Sequence, residues 1–242
     1  MSSLESQVKQ IRVFSSALRE YLDSSFNNEC EKLLFVRKRL VTFLKDSNNF
    51  KEFDLEPHLV RGSIAETMFY YVIEYYKSKN PDCFLLEGLL IPTNNGTTQI
   101  DSVLLTDKGI YVIEVKSLFG DIIVKDGEIL QLKNNNKITP WSQNKGHIGA
   151  LASISTLPWE WFHNIVYVFS LGTLNEYYPR KDEILLVNRN VLKFLEEQES
   201  KKKIADFRVM RGEAEKLKLF IPSIQDEAEH IRKLKDKFKE SE

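Results

Sequence analysis

The segments TTQIDSVLLT (residues 97–106) and GIYVIEVKS (residues 109–117) decide the fold of this chain. Both are rich in Ile, Val, Leu and Tyr, and a turn that contains a glycine joins them, so together they predict a β-hairpin. If the hairpin loop is symmetric, Asp101 lies directly opposite Glu114; if the turn shifts toward its glycine, Asp101 faces Lys116 instead. In either register the two carboxylates are neighbours, within reach of direct or diagonal cross-strand contact.

The second strand of this hairpin carries its charges in apolar surroundings. Side chains alternate along a strand, so Glu114 and Lys116 share one face. Charged residues at alternate positions usually mark a solvated face, but here both faces are mostly apolar, which is typical of a central, covered strand. The apolar residues are Ile110 and Val112 on the charged face and Tyr111, Ile113 and Val115 on the other.

Two carboxylates in a covered strand pair are costly by themselves. A buried charge raises the free energy of the folded state unless it is paired or binds a metal. Two adjacent carboxylates also repel each other, which raises the pKa of one of them. A divalent cation at Asp101 and Glu114 would remove both costs, so the hairpin indicates a metal site.

Length and composition indicate an ordinary globular protein. The chain has 242 residues, 42% hydrophobic and 29% charged, enough for one large domain or one domain with helical additions. The net charge of -1 excludes a general basic surface, so contact with nucleic acid would need a local basic patch. Two cysteines are too few for a zinc site or a disulfide framework, which fits a reduced compartment.

No targeting or membrane segment is apparent in the sequence. The N-terminal stretch MSSLESQVKQ lacks the apolar core of a signal peptide. No stretch approaches the roughly 20 apolar residues of a membrane span. These features predict a cytoplasmic protein that does not contact a membrane.

Apolar residues recur at helical spacing at both ends of the chain. Residues 4–46 predict two or more helices with a break at Asn27-Asn28, and residues 45–49 predict an exit loop. Residues 224–240 predict an amphipathic C-terminal helix. These stripes leave open a homo-oligomer formed through the terminal helices. The apolar residues of these stripes are Leu4, Val8, Ile11, Phe14 and Leu18; Leu33, Val36, Leu40 and Phe43; and Ile224, Ala228, Ile231, Leu234 and Phe238.

Between the two ends, the order of elements predicts an α/β fold with a mixed sheet. The first helix of this region begins with Ser63 and Glu66 at the capping-box spacing and ends before the breaker pair Asn80-Pro81. The predicted elements are helices at 63–79 and 142–155, strands at 83–91, 97–106, 109–117, 165–172 and 183–187, a weaker hairpin around Asp126-Gly127, and a short helix capped by Asn188.

The chemistry that suits the hairpin is phosphodiester hydrolysis. This reaction needs a polarised phosphoryl oxygen, an activated water and support for the leaving alkoxide, which one or two divalent cations can supply. Mg²⁺ keeps several waters, so one or two carboxylates suffice as ligands. Asp101 and Glu114 would be these ligands, with the backbone carbonyl of Val115 as a third. Lys116 would orient or deprotonate the attacking water, or stabilise the negative transition state.

These residues resemble the nuclease-related domain (NERD) family of the PD-(D/E)XK nuclease superfamily. An Asp followed on the next strand by Glu-x-Lys is the superfamily pattern. NERD domains add a glycine and glutamate in a first helix, a Gln-Ile-Asp strand, a Gly-Ile-x-Val-Ile-Glu-x-Lys strand followed by a glycine, and a later glutamine in a helix. Here the matching positions, within residues 60–195, are Gly62, Glu66, Gln99-Ile100-Asp101, Gly109 through Lys116, Gly120, Trp141 and Gln143.

The resemblance implies a restriction-endonuclease-like core, in which a mixed central sheet is flanked by helices, with an added N-terminal helical segment and a C-terminal helix. The predicted domains are an N-terminal helical region at 1–58, a NERD nuclease-like domain at 59–222 and the C-terminal helix at 223–242.

The resemblance also assigns roles to two residues outside the hairpin. Glu66 would project toward the metal, with a bridging water as one option, and Gln143 would support the substrate or Lys116. From the residues alone, Glu66 equally fits a helix cap, and Gln143 and Asn144 equally fit a cap or a solvated face. His147 lies one turn after Gln143, although a lone helical histidine is more often structural.

The implied function is a Mg²⁺-dependent deoxyribonuclease, with Mn²⁺ as a substitute metal and only local basic contacts to DNA. The alternatives are a non-catalytic nucleic-acid-binding module and an interaction protein that retains the nuclease fold. The implied catalytic residues are Glu66, Asp101, Glu114, Lys116 and Gln143, and the implied metal ligands are Asp101, Glu114, the Val115 carbonyl and Glu66. Candidate phosphate contacts are Arg61, Lys108 and Lys145; Trp159 and Trp161 fit packing before a strand better than base stacking.

Overall fold

A computed structural model of the chain describes residues 4–23, 57–118, 120–170, 172–178, 180, 183–187 and 190–240. It divides into two compact units, one comprising Met1–Tyr75 and Pro222–Glu242 and the other Tyr76–Ile221. The predicted domain boundaries near residues 58 and 222 stay a prediction. The predicted stripe at 33–43, the break at Asn27-Asn28, the loop at 45–49 and the cap at Asn188 lie outside the described residues.

The described residues form helices and strands in mixed order. The helices are α1 (Leu4–Asp23), α2 (Pro57–Lys79), α3 (Pro140–Ile154), α4 (Asn190–Glu199), α5 (Phe207–Leu217) and α6 (Ile224–Glu240), with short 3₁₀ helices at Trp159–Trp161 and Lys218–Phe220. The strands are β1 (Phe84–Thr93), β2 (Gly96–Thr106), β3 (Gly109–Leu118), β4 (Ile122–Lys125), β5 (Glu128–Gln131), β6 (Asn136–Ile138), β7 (Phe162–Ser170), β8 (Leu174–Tyr178) and β9 (Ile184–Val187). Within this part of the chain, no helix has the length and apolar content to cross a membrane.

The unit of Met1–Tyr75 and Pro222–Glu242 contains α1, most of α2 and α6. The Arg12 guanidinium on α1 lies 2.9 Å from the Glu227 carboxylate on α6. The Tyr71 hydroxyl on α2 donates a hydrogen bond to a backbone carbonyl of α1 at 2.9 Å. The predicted terminal stripes therefore contribute to the core of this unit, and assembly of copies through them stays a prediction. The buried residues of these stripes are Val8, Phe14, Leu18 and Ala228.

Helix α2 begins earlier than the sequence predicted. It starts at Pro57, so Ser63 is an interior position and the capping-box prediction for Ser63 and Glu66 is wrong. Proline suits a first helical turn because its missing N–H has no intrahelical partner there, and this favours the earlier start. Ser63 is only 3% exposed, and its hydroxyl pairs with a serine of α1. The predicted end of the helix before Asn80-Pro81 is confirmed.

The unit Tyr76–Ile221 is built on a five-stranded sheet of order β1-β2-β3-β7-β9. β1, β2 and β3 are antiparallel, whereas β7 and β9 run parallel to β3. Parallel neighbouring strands need a crossover connection. Helix α3 is part of the connection between β3 and β7, and it packs against both strands. The mixed sheet with its flanking helices confirms the predicted α/β class and the restriction-endonuclease-like core.

Strand β3 is the central strand of this sheet and is covered on both faces. All of its residues from Gly109 to Val115 are buried, as its apolar composition predicted. Apolar residues of α3 and α5 pack against the first three strands. This core includes Val103, Leu105, Ile110, Val112, Ile148, Leu151, Met210 and Ala214.

A second sheet of order β6-β5-β4-β8 was predicted only in part. The β4–β5 hairpin turns at Asp126-Gly127 as predicted, and both residues have positive φ, at 54° and 84°, as a type I′ turn requires. Strand β8 was missed because its sequence, LNEYY, has no alternating apolar face, and four of its five residues are exposed.

Candidate active site

The register of the β2–β3 hairpin brings Asp101 opposite Glu114. The last regular pair is Ser102 with Ile113, so the symmetric turn is the one that forms. One step further in the same register, Asp101 and Glu114 face each other, but the pairing of the strands ends before them. The two carboxylates therefore lie where the antiparallel ladder opens.

The pairing is also interrupted on the other side of Asp101. Pairs between β1 and β2 form on both sides of Gly88 and Asp101, but not between these two residues. Gly88 has a φ of 62°, a left-handed conformation that costs energy for a residue with a Cβ atom. An isolated glycine within a strand is the sequence signal for such an irregularity.

The carboxylate of Asp101 replaces the missing strand pairing. Its Oδ2 accepts a hydrogen bond from the backbone N–H of Val115 at 2.8 Å. Burial, and then the charge of Glu114, raise the pKa of Asp101 from 3.8 to about 7, against the opposing effects of the Val115 hydrogen bond and the Lys116 ammonium. Below about pH 7 this carboxyl group is therefore mostly protonated unless a cation takes the place of the proton.

Glu114 is almost fully buried, at 1% exposure, and shares a hydrogen-bond network with a lysine. Its Oε1 accepts from Lys116 Nζ at 2.5 Å, and the same Nζ donates to Gln143 Oε1 at 3.1 Å. Burial raises the pKa of Glu114, while the charge and hydrogen bond of Lys116 lower it. The Lys116 side chain is 25% exposed, so its ammonium connects the buried carboxylate to the surface.

Helix α3 is anchored to the sheet by Asn144. This residue is fully buried, and its Nδ2 donates to the Val112 carbonyl on β3 at 2.8 Å and to the Ile165 carbonyl on β7 at 3.1 Å. The alternative in which Asn144 caps the helix or faces solvent is therefore wrong. The anchor fixes the positions of Gln143 and His147 relative to the hairpin.

Replacing Asn144 with alanine is expected to lower the free energy of unfolding by about 2–4 kcal/mol, because a buried amide that joins two strands is lost. Chemical denaturation measures this change. The matched control is Gln143→Ala at the exposed neighbouring position, which should change the stability by less than about 0.5 kcal/mol. Equal stability of Asn144→Ala and the wild type would contradict the anchoring role.

His147 lies against the carboxylates, a position that its spacing from Gln143 allowed, although its sequence context favoured a structural role. Its Nδ1 is 3.4 Å from Glu114 Oε2. This distance would suit an ion pair, but burial lowers the pKa of His147, so the ring is neutral near pH 7. Neither atom has a hydrogen-bond partner among the described residues, although both are buried. The spacing of one helical turn from Gln143 was the available signal.

The donor atoms of the site fit a hard divalent cation. Glu114 Oε2 is a buried carboxylate oxygen without a hydrogen-bond partner in the described structure, a costly arrangement that a cation would relieve. Carboxylate oxygens are suitable ligands for Mg²⁺ and Mn²⁺. Among the described ranges, no three His, Cys, Asp or Glu side chains form a group that could enclose an ion, so backbone oxygens or waters would complete its coordination.

The other predicted residues are placed as follows. Glu66 is an exposed residue of α2 within Met1–Tyr75, and its role stays a prediction. Lys108 does not suit a phosphate contact, since its side chain is 8% exposed and its Nζ donates to the Lys201 carbonyl. Lys145 is exposed on α3. Trp159 is 53% exposed, which differs from the packing role predicted for it.

A cavity of about 890 Å³ lies beside the start of α3. The cavity is lined by Trp141, Trp159 and Lys145. Further basic and acidic residues also line it. Its aromatic lining could take a nucleobase by stacking, whereas its mixed charges do not select for phosphate.

Comparison with known proteins identifies the central part of the chain. Residues 61–170 match the family model of the nuclease-related domain, which confirms the predicted resemblance. The matched segment includes all five residues that the resemblance implies to be catalytic. No curated protein and no solved structure matches the chain.

Proposed function

We propose that this chain, whose residues 61–170 match the family model of the nuclease-related domain, is a divalent-cation-dependent deoxyribonuclease. The observation that supports this most is the buried Glu114, which pairs with the Lys116 ammonium through one oxygen and leaves the other without a hydrogen-bond partner in the described structure. Asp101 lies opposite in the register. A purely structural ion pair would not need a second carboxylate there.

Asp101 and Glu114 would hold the cation, with the Val115 carbonyl as a further oxygen ligand. A bound Mg²⁺, or Mn²⁺ as its substitute, would supply the positive charge that polarises the phosphate and acidifies a water molecule. Because the pKa of Asp101 is raised to about 7, this carboxyl group would release its proton when it binds the cation.

Lys116 is the residue that would act on the reacting groups. An ammonium has three N–H donors, and Glu114 and Gln143 accept from two of them. The third can donate to a phosphate oxygen or hold the attacking water. The partly exposed ammonium would also offset the negative charge that develops on the phosphate in the transition state.

The DNA would be held by local contacts, because a net charge of -1 provides no general attraction to phosphates. Lys145 and Arg61 are exposed and remain candidates for this contact. Glu66 remains a candidate for the metal site, directly or through water.

The test is incubation of the purified full-length chain with supercoiled and linear DNA. Cleavage is expected with Mg²⁺ or Mn²⁺ and is expected to stop when EDTA removes the metal. If the protein binds DNA but does not cleave it with any divalent metal, the non-catalytic binding module is the correct alternative. Parallel assays with RNA and single-stranded DNA would define the substrate class.

Replacing Gln143 with alanine is expected to lower the cleavage rate by about tenfold, because the Lys116 ammonium loses one of the two acceptors that orient it. Single-turnover kinetics at saturating metal measures this change. Gln143→Glu, which keeps an acceptor oxygen, should recover most of the rate. A wild-type rate in Gln143→Ala would show that Gln143 does not position the lysine.

A further inference from the structure

The cavity beside the start of α3 has the size and the lining of a ligand site. Its volume of about 890 Å³ falls within the range of roughly 300–1,000 Å³ that small-molecule sites occupy. It lies within the unit Tyr76–Ile221 and is lined by residues of α3, of the β4–β5 turn and of the first positions of β7 and β9. Four rings contribute to the lining, those of Trp141, Trp159, Phe162 and His163.

Trp159 is the exposed ring of this cavity. It is 53% exposed, whereas Trp141 is 3% exposed and its indole N–H donates to the Ile184 carbonyl at 3.3 Å. The rings of Trp159 and Phe162 are tilted by 36° with their centroids 6.4 Å apart, so they are not stacked on each other. A planar ligand can therefore stack on the Trp159 indole, and every nucleobase has a face suited to this contact.

The charged groups of the lining favour a neutral ligand over an anion. Three carboxylates and two cationic groups line the cavity, and burial lowers the pKa of His163, so this ring is neutral near pH 7. The carboxylates would repel a phosphate, whereas the edge of a nucleobase carries hydrogen-bond donors and acceptors without a net charge. The carboxylates belong to Asp126, Glu128 and Glu183, and the cationic groups to Lys145 and Arg180.

Helix α3 connects this cavity to the candidate active site. Gln143 Oε1 accepts a hydrogen bond from Lys116 Nζ at 3.1 Å, whereas Trp141 and Lys145 line the cavity. At 3.6 residues per turn, each of these two residues lies about 200° from Gln143 around the helix, so the cavity and Lys116 lie on opposite sides of α3. A helix with its side chains is about 10 Å across, a distance that a few nucleotides of one strand can span.

We propose that this cavity binds one unstacked nucleobase of the DNA strand that is held at Lys116. The inference rests on the proposed nuclease function and names its substrate class, which is single-stranded DNA or DNA with unpaired bases. A base inside a duplex is paired and stacked, so it must first leave the double helix, which costs free energy. A single strand avoids this cost, and the chain should therefore prefer single strands to a blunt duplex.

Fluorescence anisotropy of labelled DNA with the full chain in EDTA tests this preference without cleavage. The wild type is expected to bind a single strand about tenfold more tightly than a blunt duplex of the same length. Trp159→Ala should weaken single-strand binding by about tenfold and leave duplex binding unchanged, because one base loses its stacking partner. Trp159→Phe keeps a ring and should recover most of the affinity. The matched control is Tyr178→Ala, which removes a ring that is 61% exposed outside the cavity lining and should bind like the wild type.

Photo-cross-linking of the wild-type chain locates the base without any substitution. A single strand that contains 5-iodouracil is bound to the metal-free protein and irradiated, and mass spectrometry identifies the modified peptide. The expected position of the cross-link is Trp159 or another ring of the cavity lining. This measurement gives the answer even if a Trp159 variant does not fold.

The outcomes separate this inference from the proposed function. Cross-links confined to residues outside the cavity, or wild-type single-strand binding in Trp159→Ala, overturn the base site, and metal-dependent cleavage by the same chain would still support the nuclease. Cross-links in the cavity together with no cleavage in any divalent metal support the base site and overturn the nuclease. A chain that binds no single strand, or that binds a blunt duplex equally well, contradicts the inferred substrate class.

Discussion

Replacing Asp101 with asparagine is expected to lower the rate of DNA cleavage by about a thousandfold or more, because the proposed cation would lose one of the two carboxylates that would hold it. Asparagine keeps an oxygen that can accept the hydrogen bond from the Val115 N–H, which lies 2.8 Å from Oδ2 in the wild type. The local backbone conformation should therefore be retained, and the lower cleavage rate should result from the missing negative charge of the carboxylate. Single-turnover cleavage of supercoiled DNA at saturating Mg²⁺ measures it.

The same substitution is expected to stabilise the cation-free protein at alkaline pH. Burial and Glu114 raise the pKa of Asp101 from 3.8 to about 7. The protonated form is therefore favoured by folding, and its stabilising effect is complete below the ordinary pKa and lost as the pH rises through 7. Asparagine does not titrate, so at about pH 8 the variant should be more stable by on the order of 2 kcal/mol.

The matched control for both effects is Asp126→Asn. Asp126 lies in the β4–β5 turn with a φ of 54°, a conformation that asparagine adopts readily. This control should cleave DNA at the wild-type rate and keep the wild-type dependence of stability on pH. Asp101→Asn with full activity would contradict its role as a ligand. A variant less stable than the wild type above pH 7 would contradict the raised pKa that burial and Glu114 give to Asp101.

Replacing Lys116 with methionine is expected to lower cleavage by about a thousandfold while metal binding remains. Methionine fills much of the space of the lysine stem but removes the ammonium that lies 2.5 Å from Glu114. The carboxylates keep their places, whereas the group that would hold the attacking water or offset charge on the phosphate is gone. Calorimetric titration with Mn²⁺ and single-turnover cleavage separate the two properties.

The control for this variant is Lys193→Met, at a lysine of α4 whose side chain is 79% exposed. It should leave both metal binding and cleavage unchanged. If Lys116→Met still cleaves DNA at the wild-type rate, the lysine has no chemical role. If it loses Mn²⁺ binding as well, Lys116 serves the site by holding Glu114 in place.

The hairpin shows how much of this site local sequence can predict. The alternation of side chains and the position of the turn predicted that Asp101 and Glu114 would be neighbours, and the symmetric register is the one that forms. The apolar composition of both faces predicted that β3 would be covered. These properties depend on strand geometry and on residues that are close together in the chain, which a sequence displays directly.

The role of α3 depends on contacts that the sequence does not display. His147 meets Glu114 because Asn144 sets how the helix lies on β3 and β7. The orientation of a helix against a sheet is decided by such tertiary contacts, so the spacing from Gln143 placed His147 on a helix face but did not show that it would contact Glu114. The interruption of the β1–β2 pairing at Gly88 is similar. The sequence shows a glycine within the predicted strand, but it does not show which residue lies opposite that glycine in the sheet.

The start of α2 differs from the one that the local capping-box pattern predicts. Ser63 and Glu66 have the spacing of a capping box, but the helix continues upstream to Pro57. Ser63 is buried and pairs with a serine of α1, so its hydroxyl is satisfied without capping. Glu66 therefore has no capping role, and its assignment to the metal site depends on the family pattern alone.

The most direct test of the central claim, that Asp101 and Glu114 hold a divalent cation, is the anomalous scattering of a crystal of the full chain soaked in Mn²⁺. A single strong peak within bonding distance of both carboxylates is the predicted result. A soaked crystal with no peak there, and with the two carboxylates directed away from each other, would contradict the account.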